Sequence, residues 1–180
     1  NFYKIQQYLN YRWRARSARS FHSPYLFRLF TEVLTDERHF YAYDELQVLM
    51  QACESSHQQL PIVDYGAGSR VNNSAHRSLR SITRSVKRPF WQYRWLFLLA
   101  QYLRPLQMLE LGTSLGFSSL MLSRGARNST LHTLEGAPAL VQQARQHFSW
   151  AEATNIQQVE GKFIDTLPQV LAATSPFDFV

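Results

Sequence analysis

The segment Met108-Leu109-Glu110-Leu111-Gly112-Thr113-Ser114-Leu115-Gly116-Phe117-Ser118-Ser119 passes from an apolar strand, through a loop with two glycines, into a helix. The strand carries an acid, Glu110, next to its end. Gly112 permits a tight turn with close backbone approach to a ligand. Gly116 lets the first helical turn pack against strand or ligand, and the helix start offers free backbone N–H groups. In an open parallel sheet, ligands bind at the carboxyl ends of the strands. A dinucleotide fingerprint needs three glycines spaced G-x-G-x-x-G. Ser114 stands at the middle position, so the loop argues against a nicotinamide dinucleotide.

Downstream of this segment, strands and helices alternate. Residues 107–111, 130–134 and 156–159 read as strands, and residues 116–126, 138–150 and 165–173 as helices. Pro138 suits the first turn of its helix, and Asp165 is the expected N-cap of the last. Strand–helix–strand units of this length call for parallel pairing through crossovers. Glu135 closes the second strand, 25 residues after Glu110, and is followed by Gly136. A carboxylate there can accept hydrogen bonds from both hydroxyls of a ribose. After the third strand, Gly161 permits a turn and Phe163 offers an apolar face that could edge an adenine.

Upstream the style differs. Residues 2–20 have helical composition and are basic. Ser23 before Pro24 signals a helix start, and His22 is expected either to cap a helix, the favoured reading, or to line a substrate entrance. Leu46, Leu49, Met50 and Cys53 share one face of a helix over 43–57. Cys53, the only cysteine, reads as a core residue with no basic partner near it in sequence. Residues 90–104 form a strongly apolar helix stopped by Pro105. Its run Trp95–Ala100 is far below the roughly 20 residues that a membrane span needs. His132 reads as a structural strand residue, and the remaining histidines show no metal-ligand spacing.

The 180 residues carry 19 Lys+Arg against 13 Asp+Glu, and 45% are hydrophobic, which excludes disorder. The charge is uneven. Up to Pro105 there are 15 basic and 7 acidic side chains; beyond it there are 4 and 6. Such a basic half suits nucleic acid, anionic lipid or an acidic substrate. A solvated helical surface is the favoured reading, because no nucleic-acid motif accompanies the charge. A single thiol and the lack of a leader or span point to a cytoplasmic protein.

Taken together, Glu110 to Ser118, Glu135 and Gly161 to Pro168 resemble class I S-adenosylmethionine-dependent methyltransferases. The likeness is nearest the small-molecule O-methyltransferase branch, such as catechol and caffeoyl-CoA O-methyltransferases. That branch carries E-x-G-x-x-x-G-[YF]-S, matched from Glu110 to Ser118, and an acid after the second strand, matched by Glu135. It also carries Gly, Asp and Pro after the third strand, matched by Gly161, Asp165 and Pro168. His22-Ser23-Pro24 and Asp64-Tyr65-Gly66-Ala67-Gly68-Ser69-Arg70 resemble motifs of a bacterial group of these enzymes.

The resemblance implies an α/β fold, with a Rossmann-like parallel sheet behind a mainly helical N-terminal extension. Residues 1–89 would be the basic extension and residues 90–180 the N-terminal half of the cofactor-binding domain. Glu110, Gly112, Ser114 and Ser118 would surround the methionine part of S-adenosylmethionine, with Thr113 and Gly116 in the same loop. Glu135 would hold the ribose, and Gly136, Gly161 and Phe163 would border the adenine. Asp64 to Ser69 also resembles a glycine loop. It is rejected as the cofactor site because no strand ending in an acid follows at the right distance.

The expected activity is methyl transfer to the oxygen of a small-molecule acceptor. Two alternatives stand beside it: a nucleic-acid-binding or RNA/DNA-modifying protein, and a non-catalytic cofactor-binding scaffold. No catalytic residue is assigned, no metal ligand is assigned, and a divalent metal stays open. Oligomeric state and acceptor identity are not legible. Residue 1 is Asn, and residues 177–180 read as a strand interrupted partway. Three further strands of a complete methyltransferase sheet are missing, so the expectation is either a fragment or an incomplete fold without turnover.

Overall fold

The alternation that begins after Pro105 folds as a parallel sheet. The computed structural model describes residues 2–14, 22–62, 76–174 and 176–180. The motif Asp64 to Arg70 lies outside the described residues. The chain forms two compact units, Asn1–Glu37 and Arg38–Val180.

In the first unit, α1 (Phe2–Arg14) and α2 (Pro24–Leu29) are followed by a π-helical turn, Phe30–Leu34. Ser23 caps α2: its hydroxyl oxygen accepts from the Leu26 N–H at 3.5 Å, and Pro24 occupies the first turn, where a missing N–H costs nothing. The cap is thus Ser23 and not His22, because a short hydroxyl reaches back to the open N–H groups of the first turn.

The second unit contains α3 (Tyr41–Ser55), a short antiparallel pair β1 (Gln59–Pro61) and β2 (His76–Ser78), α4 (Leu79–Val86) and α5 (Phe90–Leu103). The sheet elements follow: β3 (Gln107–Leu111), α6 (Phe117–Gly125), β4 (Thr130–Glu135), α7 (Pro138–Trp150), β5 (Ile156–Glu160) and α8 (Phe163–Ala173). Helices α3 and α4 therefore lie in the same compact unit as the sheet, whereas the sequence reading set its domain division at 89/90. Leu46, Leu49, Met50 and Cys53 are buried on α3 as their spacing predicts.

Strands β3, β4 and β5 pair in parallel in that order, with Met108 opposite Leu131 and Leu131 opposite Ile156. The chain then returns through α8, and Phe179 makes a parallel bridge to Met108 on the outer side of β3. Asp178 fastens this return: its carboxylate accepts the N–H groups of Leu106 and Gln107 at 2.7 and 3.1 Å. Both bonds hold its pKa below the usual carboxylate value. The strand order thus reverses at β3, and in open α/β sheets such a reversal opens a crevice at the carboxyl ends of the strands.

Alternation along the strands gives each sheet face its own core. Met108 and Leu131 pack with Ala100 of α5 and Leu122 of α6, and Leu109 and Leu134 pack with Val170 of α8. Helices α5 and α6 approach closely at Gly125, where a side chain would run into the Phe97 carbonyl. His132 is buried on the α8 side, edge-on to Phe177, with Nε2 3.2 Å from Gln107 Oε1. Helix α8 begins at Phe163, so Asp165 stands in its first turn and not at the cap. The cap position is Lys162, whose carbonyl accepts from the Thr166 hydroxyl at 3.0 Å.

Candidate functional site

The loop between β3 and α6 is built from unusual backbone. Gly112, Ser114 and Gly116 have φ of 98°, 49° and 78°. Glycine carries such angles without steric penalty, whereas Ser114 is strained in the left-handed region and needs outside support. That support is Glu135 at the end of β4. Its Oε2 accepts the Ser114 N–H at 2.8 Å and its Oε1 accepts the Ala137 N–H at 2.9 Å. The N–H groups of Gly112 and Thr113 both donate to the Leu134 carbonyl, at 2.8 and 3.1 Å. The carbonyl of Glu135 in turn accepts the Gly161 N–H at 2.9 Å, which joins the third loop to the second.

The two glycines serve different ends. A Cβ on Gly112 would meet nothing within 4 Å, so the space above it is open. A Cβ on Gly116 would meet Cε1 of Phe148 at 2.5 Å, so Gly116 admits the α7 ring against the start of α6. Gly161, at φ 142°, lies over Thr166.

Glu110 faces inward beneath the loop. Its Oε1 accepts from Ser118 Oγ at 2.5 Å, and its Oε2 accepts from Ser119 Oγ and, at 2.6 Å, from Thr133 Oγ1. The Thr133 hydroxyl lies 2.7 Å from that of Thr113. Burial raises the Glu110 pKa above the ordinary carboxylate value. The three hydroxyl donors oppose that shift, and the neighbouring Glu135 charge adds to it.

A cavity of about 390 Å³ opens beside this loop. Gly112, Thr113, Ser114 and Ser118 line one wall, and Arg88, Gln92 and Tyr93 line the other. Of the residues singled out in the sequence, the cavity gathers those four. Glu110 is joined to it through Ser118, and Glu135 through Ser114. Gly116, Gly136, Gly161 and Phe163 do not line it. Arg88, Gln92, Tyr93, Ser119 and Thr133 escaped sequence reasoning. The first three stand on a segment read as surface and apolar helix; the last two were visible only as hydroxyls near the glycine motif.

Behind the cavity lies a buried polar cluster on α3 and α7. His147 Nδ1 donates to the Leu115 carbonyl at 2.8 Å, leaving Nε2 to accept from Gln143 Nε2 at 2.9 Å. Cys53 Sγ is 3.5 Å from that same Nε2. A histidine thus stands beside Cys53 in space, which the sequence does not show, because His147 lies 94 residues further along the chain. The thiol is still a core group. Burial pushes its pKa up to about 11, which leaves it protonated and unreactive. Burial also holds His147 below the usual imidazole value. Among the described residues, no group of three His, Cys, Asp or Glu gathers as a metal centre.

A parallel sheet with a glycine loop at its strand-order reversal is a Rossmann-like, doubly wound arrangement. PaMTH1, a Podospora anserina methyltransferase crystallised with SAH bound, superposes with a TM-score of 0.55 at 18% identity over 91% of this chain and 59% of its own. At that identity the likeness speaks for the fold alone. The catechol O-methyltransferase of Niastella koreensis is 37% identical over 92 residues, 49% of this chain and 42% of that protein. The catechol O-methyltransferase of Mycobacterium tuberculosis is 38% identical over 91 residues, 49% and 40% respectively. No protein-family model matches the chain. The resemblance read from the motifs is borne out: the chain is similar to class I small-molecule O-methyltransferases. The match spans less than half the length of these curated relatives.

Proposed function

We propose that the protein binds S-adenosylmethionine at the β3–α6 loop and transfers its methyl group to an oxygen of a small molecule. The observation that carries this reading is the open space over Gly112, beside a loop that Glu135 and Glu110 hold from behind. A cavity of about 390 Å³ lies within the usual range of small-ligand sites. When bound, S-adenosylmethionine supplies a methyl group that is already electrophilic. Gly112, Thr113, Ser114 and Ser118 would border its methionine part. Glu135 has lone pairs beyond the two it uses for backbone N–H groups, and these would accept from the ribose hydroxyls. Gly136, Gly161 and Phe163 would border the adenine.

The protein's task in such a transfer is to hold donor and acceptor in line and exclude water. Tyr93, Leu96 and Phe117 give the cavity apolar walls suited to that task. The catechol O-methyltransferase relatives favour a small aromatic acceptor over nucleic acid. Among the described residues no helix is long and apolar enough to cross a membrane. We place the protein in the cytoplasm on that basis and on its single buried thiol. Calorimetry with S-adenosylmethionine and S-adenosylhomocysteine tests the reading. Micromolar binding of both is expected, and binding of neither would remove it.

A further inference from the structure

Among the described residues, Arg88 brings the only charge to the walls of the cavity. It stands between α4 and α5, next to Pro89, and its backbone N–H donates to the Tyr93 hydroxyl at 3.2 Å. That bond and the fixed φ of proline hold the short connection in place. The neighbouring cations are engaged elsewhere: Lys87 Nζ lies 2.7 Å from Glu54, and Arg77 donates to Ser85 Oγ at 3.0 Å. No described residue pairs with the Arg88 guanidinium, which is exposed on the cavity side.

The opposite wall has few donors to offer an anion. The N–H groups of Gly112, Thr113, Ser114 and Gly116 are all taken, by Leu134, Leu134, Glu135 and Thr113. Ser118 gives its hydroxyl hydrogen to Glu110. These loop N–H groups are thus turned inward, which leaves the first N–H groups of α6 as the backbone donors on this wall, and the acids beneath the loop repel a negative group. Among the described residues, a carboxylate entering this cavity finds its one cationic donor on the α4–α5 connection.

We propose that Arg88 is a carboxylate-binding residue of this cavity, holding either the amino-acid carboxylate of the cofactor or a carboxylate on the acceptor. The inference rests on the cofactor reading above and adds to it a residue and a ligand group. A guanidinium binds a carboxylate through two parallel N–H donors, which a lysine cannot reproduce.

The test compares the wild-type chain with Arg88→Gln and Arg88→Lys, titrated with S-adenosylhomocysteine and with methylthioadenosine, which lacks the amino-acid end. A second arm titrates catechol and 3,4-dihydroxybenzoate in the presence of S-adenosylhomocysteine. If the cofactor supplies the carboxylate, Arg88→Gln weakens S-adenosylhomocysteine roughly ten- to hundredfold and leaves methylthioadenosine unchanged. If the acceptor supplies it, the loss falls on dihydroxybenzoate and spares catechol. Arg88→Lys keeps only part of the affinity in either case. Wild-type chain that binds neither adenosine compound overturns the cofactor reading and this inference with it. Wild-type binding with Arg88→Gln within twofold for all four compounds overturns the inference alone.

Discussion

The carboxylate of Glu135 and the backbone N–H of Ser114 meet at 2.8 Å, across the carboxyl ends of two neighbouring strands. The bond sits where the chain turns into the left-handed region at a residue that is not glycine. One acid therefore holds the shape of a loop 21 residues before it. Replacing Glu135 with Ala leaves the Ser114 and Ala137 N–H groups without their partner. A loss of about 1–3 kcal/mol is expected in urea unfolding. A larger fall is expected in S-adenosylhomocysteine affinity, because loop shape and ribose contacts go together. Unchanged affinity in calorimetry would remove Glu135 from the cofactor site.

Glu110 titrates in the opposite sense from a surface acid. Burial raises its folded pKa, so the folded chain binds its proton more tightly than the unfolded chain does. The stability this contributes is fully present below the ordinary carboxylate pKa and is lost as pH rises through the folded value. Glu110→Gln resembles the protonated acid and should flatten that part of the stability–pH curve. Glu110→Ala strands Ser118, Ser119 and Thr133 and should cost about 1–3 kcal/mol at neutral pH. Urea midpoints between pH 4.5 and 8 separate the two; parallel curves for wild type and Glu110→Gln would contradict the argument.

Two glycines in the same loop should fail differently. Gly116→Ala forces a Cβ into the Phe148 ring and should destabilise the fold by about 1–3 kcal/mol. Combining it with Phe148→Leu should give a double variant less damaged than the two losses added. Gly112→Ala meets no neighbour, so its folding cost is backbone strain of about 1 kcal/mol. Its main effect is on cofactor affinity, because the methyl group enters the open space. Thermal melts paired with calorimetry read both quantities on each variant.

His147 is buried in its neutral form, with Nδ1 donating to Leu115 and Nε2 accepting from Gln143. Its folded pKa lies below the ordinary value. On acidification the unfolded chain takes up this proton first, so stability is lost as pH falls from about 6.5. One such group gives a slope of at most about 1.4 kcal/mol per pH unit. His147→Gln should reduce the slope of unfolding free energy between pH 7 and 5.5. His132, also held low by burial, keeps the remainder. An identical slope in the variant would mean that the imidazole is not buried neutral.

Much of the fold was legible because it is local. Short apolar strands alternating with helical stretches mark β3, β4 and β5, and Pro138 and Ser23 sit where the helix starts require them. The end of α8 was legible and its start was not, because the chain enters the helix at Phe163 through a carbonyl cap that no polar side chain announces. The motif Glu110, Gly112, Ser114, Ser118 and Glu135 was readable as a set, since strand ends and loop glycines keep fixed sequence spacing.

What such residues touch is set by distant chain segments. Gly116 answers to Phe148, Cys53 meets His147, and the wall facing the glycine loop comes from Arg88, Gln92 and Tyr93. The sequence by itself determined the strand–loop–helix order and the chemical type of the loop. Tertiary structure alone decided which glycine faces open space and which faces a ring. It also decided which of many arginines faces the cavity. Spacing along a chain encodes local backbone geometry, whereas contacts between helices depend on how separate elements pack around one sheet.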